Sequence, residues 1–216
     1  MKFPQIESVV FSIGRIQMGA FMPLGTCFMI NKSGLFVTAA HVVNGSDKDL
    51  VLRRNTQYLD GYQIPITESD VCAPIKIEAL DPLRDICVFS LPEPFTSTIT
   101  ISGTDVVEPG DEVTVFGFPH SNLGRLVLTQ QTCEVGAKIW LNSGPIKSKH
   151  IVLNIQARPG QSGGPVIRNS DLSLVGILLG AYVPKAQGTI SLGGIDPQTL
   201  HQTTHAISIE YIEGML

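Results

Sequence analysis

Arg158-Pro159-Gly160-Gln161-Ser162-Gly163-Gly164-Pro165-Val166 is the stretch on which the reading of this chain turns. Apolar runs flank it, Ile151-Val152-Leu153-Asn154-Ile155 before and Val166-Ile167 after. The pattern is strand, sharp turn, strand. Glycine permits positive φ and close backbone approach. A serine among three glycines sits where backbone N–H groups can point into open space, and successive N–H groups aimed at one point make an anion hole. The stretch therefore reads as a nucleophilic serine beside an oxyanion hole, or as a plain hairpin connection with turn glycines. A base, an orienting carboxylate and a scaffold elsewhere in the chain would favour the first.

Working outward, the chain reads as many short strands. Val9–Met18, Gly25–Ile30 and Leu35–Ala40 come first, with Asn31-Lys32-Ser33-Gly34 as a hairpin turn. Leu50–Arg54, Ala73–Leu80 and Asp85–Leu91 follow. After a linker come Asp111–Phe118, Arg125–Thr132, Cys133–Leu141, Ile151–Ile155, Gly164–Ile167, Leu174–Ala181 and Ala206–Ile209. Residues 55–70 read as a long loop with one strand in it, 184–204 as a long loop, and Glu210–Leu216 as the start of a short helix. No sustained helical period precedes residue 208. Two groups of about six strands point to two antiparallel barrels or sandwiches packed together.

Composition agrees with this. The 216 residues are 43% hydrophobic and only 16% charged, with 21 Gly and 14 Pro, which suits a well-buried all-β chain. A net charge of −4 without a basic block argues against nucleic-acid binding. No apolar run reaches the roughly 18 residues of a membrane-spanning helix, and the N-terminus lacks signal-peptide features. A cytoplasmic location is the expectation. Cys27, Cys72, Cys87 and Cys133 form no CxxC pair. They read as free thiols, mostly buried, and neither a metal nor a cofactor is expected.

A serine hydroxyl needs a base. Among His41, His120, His150, His201 and His205, His41 stands out because it ends an apolar strand. Asp85 opens another apolar strand, where a histidine N–H would satisfy its carboxylate. Asp70 and Asp81 read as solvated turn residues.

Val37-Thr38-Ala39-Ala40-His41-Val42-Val43, Asp85-Ile86-Cys87-Val88 and Pro159-Gly160-Gln161-Ser162-Gly163-Gly164-Pro165, in that order, resemble the trypsin-like (chymotrypsin-fold) serine peptidases. Pro109-Gly110-Asp111-Glu112-Val113 with Gly117-Phe118-Pro119 is similar to the bacterial HtrA/Deg branch. The resemblance spans about residues 20–210. It implies an all-β fold of two antiparallel six-stranded barrels with the active site between them. A single peptidase domain over residues 1–216 follows, with barrels at about 5–91 and 107–212 joined by a linker at about 92–106.

It further implies Ser162 as nucleophile, His41 as general base and acid, Asp85 as its orienting partner, and the N–H groups of Gly160 and Ser162 as the oxyanion hole. The reaction implied is peptide-bond hydrolysis through an acyl-enzyme, on protein or peptide substrates. The primary pocket would be lined by Gln156, Ala157, Leu179, Gly180, Ala181, Thr204 and His205. No acid lies at its base, which disfavours Lys or Arg before the cut. His205 would favour an acidic residue there, or serve structurally.

Three departures from the pattern matter. Gln161 stands where the digestive branch has an Asp that pairs with a cleaved N-terminus, which argues against that mode of activation. Val42 follows His41, so Cys27 lacks its usual partner. The chain stops at Leu216, before the PDZ domain of HtrA-like proteins. Two other readings stand beside the active peptidase. One is a non-catalytic binding module. The other is the same fold held inactive until a partner or regulatory domain orders the oxyanion loop.

Overall fold

The computed structural model describes residues 5–30, 34–55, 57–65, 71–92, 97–182 and 203–216, with backbone alone at 181 and 182. The expected Asn31–Ser33 turn and all of the 184–204 loop except Thr203 and Thr204 lie outside the described residues.

The first seven strands are β1 (Val10–Gln17), β2 (Ala20–Met29), β3 (Leu35–Ala39), β4 (Leu50–Arg53), β5 (Cys72–Pro74), β6 (Lys76–Asp81) and β7 (Ile86–Ser90). They form one antiparallel sheet in the order β5-β4-β1-β2-β3-β7-β6. The second group is β8 (Glu112–Gly117), β9 (Thr129–Ser143), β10 (Ile146–Leu153), β11 (Pro165–Arg168), β12 (Leu174–Tyr182) and β13 (Thr203–Ser208). It closes into a barrel in the order β10-β13-β12-β11-β8-β9. The all-β, two-barrel class is as the sequence implies.

Two details differ from expectation. The first barrel has seven strands rather than six, and its ladder does not close. Its two edge strands, β5 and β6, are halves of one extended segment divided at Ile75, whose N–H makes the last bond to β4, to Leu50 O at 3.2 Å. One half pairs with β4 and the other with β7, so the sheet curls round on itself. In the second barrel, the two strands expected over 125–141 are the single strand β9, because the exposed/half-buried alternation continues through Thr132-Cys133. The C-terminal turn is a 3-10 helix, Ile209–Met215. Ile209 and Ile212 lie three residues apart and both bury.

Three cores hold the molecule. Within the first sheet lie Cys27, Met29, Phe36, Cys87 and Phe89, and within the barrel lie Val113, Val115, Ile151, Val166, Val175 and Ala206. Between them Phe28, Val37, Ile86 and Val88 meet Phe116, Phe118, Ile167, Ile177 and Ile207. Strands β2, β3 and β7 therefore bury both faces, one in their own sheet and one at the seam. That is why they read as continuous apolar runs rather than alternating ones. Burial of this kind stabilises by roughly 25 cal/mol per Å² of apolar surface, so the seam is a fixed joint on which a site can be built.

Candidate active site

The seam is where the chemically suggestive residues meet. Strands β3 and β7 pair antiparallel with Ala39 opposite Ile86. The residues just beyond those ends, Ala40-His41 and Asp85, must then face each other. After Ala39 the chain makes one helical turn, α1 (Ala40–Val43), which buries Val42 and Val43 and leaves His41 at the surface. Asp85 occupies the left-handed region with φ 60°, a conformation Asp tolerates better than most residues.

Asp85 grips this turn at three points. Its carbonyl accepts the Ala40 N–H at 3.1 Å, its Oδ1 accepts the His41 N–H at 2.7 Å, and its Oδ2 lies 2.6 Å from His41 Nδ1. A carboxylate can only accept, so Nδ1 carries the proton and Nε2 is left bare to act as a base. The side chains are 49% and 30% exposed, which leaves the ring open to a reactant.

The serine turn lies across the seam. Gln161 N–H donates to Arg158 O at 3.1 Å, closing a four-residue turn centred on Pro159-Gly160. Gly160 has φ 96°, and proline followed by a left-handed glycine is the type II arrangement. A Cβ at Gly160 would collide with Phe118 O and Ser121 Oγ.

The central peptide is locked from one side. Pro159 O accepts the His120 N–H at 2.7 Å. In a trans peptide the C=O and N–H point oppositely, so Gly160 N–H is turned the other way. Next along, Thr26 on β2 donates its hydroxyl to Gly160 O at 2.7 Å and its N–H to Ser162 O at 2.9 Å. Gly163 N–H goes to Leu178 O and Gly164 N–H to Gln161 O, at 2.7 and 3.0 Å. Among the described residues, the N–H groups of Gly160 and Ser162 have no acceptor, and they flank the serine hydroxyl. Two free donors beside a serine hydroxyl are suited to binding an anion.

Ser162 Oγ itself donates to Leu179 O at 3.1 Å, and no hydrogen bond joins it to His41 in this geometry. The register shift between Leu178 and Gly180 on β12 turns that carbonyl toward the serine.

The expected pocket residues separate by strand parity. Thr204 is fully buried and accepts the Ala157 N–H at 2.8 Å. Gly180 and Ala181 pair with His205 and Thr204, which places Leu179, Gly180, Ala181, Thr204 and Ala157 along the β12–β13 edge. Gln156 is exposed at the mouth of this segment. His205 takes the opposite face of β13 from Thr204. Its ring lies 5.4 Å from that of His150, burial lowers its pKa, and the charge of Asp85 opposes that shift. His120 contributes its backbone to the serine turn, and His201 lies outside the described residues. Asp81, expected to be a solvated turn residue, is instead the last residue of β6, paired with Ile86 and held by Arg84 at 2.8 Å; Asp70 lies outside the described residues.

The sequence reading missed Thr26, Gln131 and the Leu179 carbonyl. Thr26 had one available signal, a lone hydroxyl inside an apolar run directly after Gly25.

A double β-barrel with a histidine–carboxylate pair on one side of the seam and a serine–anion-hole turn on the other defines the class of serine peptidases. Residues 25–177 match the family profile of the trypsin-like peptidase domain, and this chain belongs to that family. A probable periplasmic serine endoprotease, DegP-like, from Rickettsia conorii is 29% identical over 164 residues, 76% of this chain. The chain spans only 29% of that relative's length. Among solved structures, the MamO protease domain from Magnetospirillum magneticum superposes with TM-score 0.70 at 15% identity, covering 100% of this chain and 99% of that one. The active form of the Rv3671c protease from M. tuberculosis gives TM-score 0.68 at 19% identity, covering 97% and 80%.

The cytoplasmic expectation is overturned, since the Rickettsia conorii relative and a Rickettsia prowazekii one are both named as periplasmic. Free thiols were a poor guide to compartment here. No disulfide joins the four cysteines, yet burial pushes the Cys87 thiol up to about 12 and Cys133 to about 11. Thiols held protonated resist oxidation, so their survival does not require a reducing surrounding.

Proposed function

We propose that this chain is one peptidase domain, formed by both barrels, that hydrolyses peptide bonds through an acyl-enzyme. The observation that carries the proposal is the pairing across one seam of the Asp85-oriented His41 with the two unpaired N–H groups beside Ser162. Substrate entry draws the Ser162 hydroxyl off Leu179 O. His41 Nε2 takes its proton as Ser162 Oγ attacks the scissile carbonyl carbon. The carbonyl oxygen becomes an anion received by Gly160 and Ser162 N–H. His41 then gives its proton to the leaving amine, and a water deprotonated by the same nitrogen releases the acyl group. Asp85 keeps the ring in the required tautomer and stabilises the imidazolium.

The residue before the cut would lie against Gln156, Ala157, Leu179, Gly180, Ala181 and Thr204. With no acid among them, a small or apolar side chain fits best. His205 lies on the other face of β13 from Thr204, opposite Gly180, whose Cβ position is 3.3 Å from Ser162 Oγ.

A fluorophosphonate probe tests the proposal. Wild type is expected to be labelled and Ser162→Ala is not. Absence of labelling under all conditions would sink the active-enzyme reading. Labelling only after a partner protein is added would favour the partner-gated form of the same fold. That second reading draws support from the Ser162–Leu179 hydrogen bond.

A further inference from the structure

The turn that carries Gly160 is tied at its middle by His120 N–H on Pro159 O and by the Thr26 hydroxyl on Gly160 O, and its two ends are tied by one side chain. Its ends are Arg158, exposed, and Gln161, which is 0% exposed. The Gln161 side chain is a primary amide with one acceptor and one donor end. Its Oε1 accepts the Arg158 N–H at 2.7 Å, bonding the turn back upon its own first residue. Its Nε2 donates to Gln131 Oε1 at 2.7 Å, and Gln131 sits on β9 opposite Val115 of β8. One uncharged side chain thus ties the start of the turn to its end and the whole turn to the barrel wall. Room for it comes from Gly117, where a Cβ would approach the Gln161 backbone at 3.2 Å.

We propose that Gln161, anchored by Gln131, is a positioning residue that, together with Thr26 and His120, holds the Gly160 N–H in the oxyanion hole. The inference rests on the peptidase reading above for its kinetic consequence, though not for its structural one. Gln161 touches no substrate. It acts through the Arg158–Gly160 segment, whose displacement by an ångström would misplace a donor that matters only when negative charge develops. Such a donor stabilises the transition state and not bound substrate. Both members of the pair are uncharged at every accessible pH, so the hole needs no ion pair and no terminal amine to form.

The test compares Gln161→Met, which keeps length but deletes both hydrogen bonds, with Gln161→Glu. In the latter a carboxylate oxygen still accepts from Arg158, and Gln131 can turn its amide to donate to the other. For Gln161→Met, kcat is expected to fall roughly 10- to 100-fold, within the range for losing one oxyanion donor, with KM nearly unchanged. Gln161→Glu should recover most of kcat and, compared with wild type at the same pH, keep it on acidification, because the protonated acid, like the amide, offers an acceptor to Arg158 N–H and a donor to Gln131 Oε1. A kcat for Gln161→Met within twofold of wild type, or a loss shared equally between kcat and KM, would overturn the proposal. A crystal structure of Gln161→Met gives a readout that needs no turnover. The Arg158–Gly160 segment should have shifted or its central peptide turned. An unmoved segment refutes the inference even if wild type proves inactive, and a moved one supports it even then.

Discussion

Thr26→Val isolates the link between the two halves. Thr26 lies on β2 of the first sheet, is 0% exposed, and bonds mostly to the second barrel. Its Oγ1 donates to Gly160 O at 2.7 Å and accepts the Phe118 N–H at 3.1 Å. Its own backbone bonds, N–H to Ser162 O and C=O from Thr38 Oγ1 at 2.7 Å, survive the change. Valine has almost the same shape but a methyl where the hydroxyl was. Two buried backbone groups then lose their partner. Each unsatisfied group costs about 1–3 kcal/mol, and we expect a total near 3 kcal/mol because the turn can relax partway. For a domain of this size that is a fall in Tm of roughly 6–12 °C. Relaxation would move Gly160, so turnover of a peptide substrate should drop beyond what stability explains. Urea unfolding at neutral pH measures the first effect and peptide hydrolysis well below Tm the second. Thr26→Ser retains the hydroxyl and should recover most of both. Stability of Thr26→Val within about 0.5 kcal/mol of wild type, the scatter of ordinary surface changes, would show that these bonds do not hold the halves in register.

Asp85→Asn should leave the fold intact and cut turnover by roughly a thousand- to ten-thousand-fold, because an amide no longer enforces the Nδ1–H tautomer of His41; retention of a tenth of the activity would refute that role. Gly163→Ala places a Cβ against Thr38 Oγ1 and Thr26 O at φ 84° and should cost roughly 2–5 kcal/mol through strain and overpacking, read from the urea midpoint. His150 is held down to about 4 from an ordinary 6.5 by burial, with the neighbouring His205 adding to the effect. The unfolded chain therefore binds more protons than the folded one between those values. Stability is full above pH 6.5 and falls by roughly 3 kcal/mol in total as pH drops toward 4. His150→Phe should flatten that slope by about 1 kcal/mol per pH unit, and equal slopes in the two proteins would contradict the assignment.

Much of this was legible in the residues themselves. The serine turn, the histidine after an apolar strand and the aspartate before one are local patterns. Their chemistry follows from residue type, and the two strand groups follow from period and turn signals. The structure adds the reason those three positions converge. Ala39 pairs with Ile86, so the ends of β3 and β7 bring His41 and Asp85 together, and Thr26 carries the first sheet onto the serine turn. Register of this kind depends on which strands pair, and no single strand records it.

The parts that escaped the sequence share one cause. Which face His205 takes is one of them: side chains alternate across a strand, and pairing alone sets it opposite Gly180 and on the other face from Thr204. Thr26, Gln131 and Leu179 act through hydrogen bonds between residues 17 to 134 positions apart or through backbone atoms common to every residue type. By itself, the sequence determined an all-β double barrel with a serine, a histidine and an aspartate suited to acyl transfer. Only the tertiary structure decided that Gly160 presents a free N–H. Its direction is set by the peptide's opposite face, where His120 N–H takes the Pro159 carbonyl.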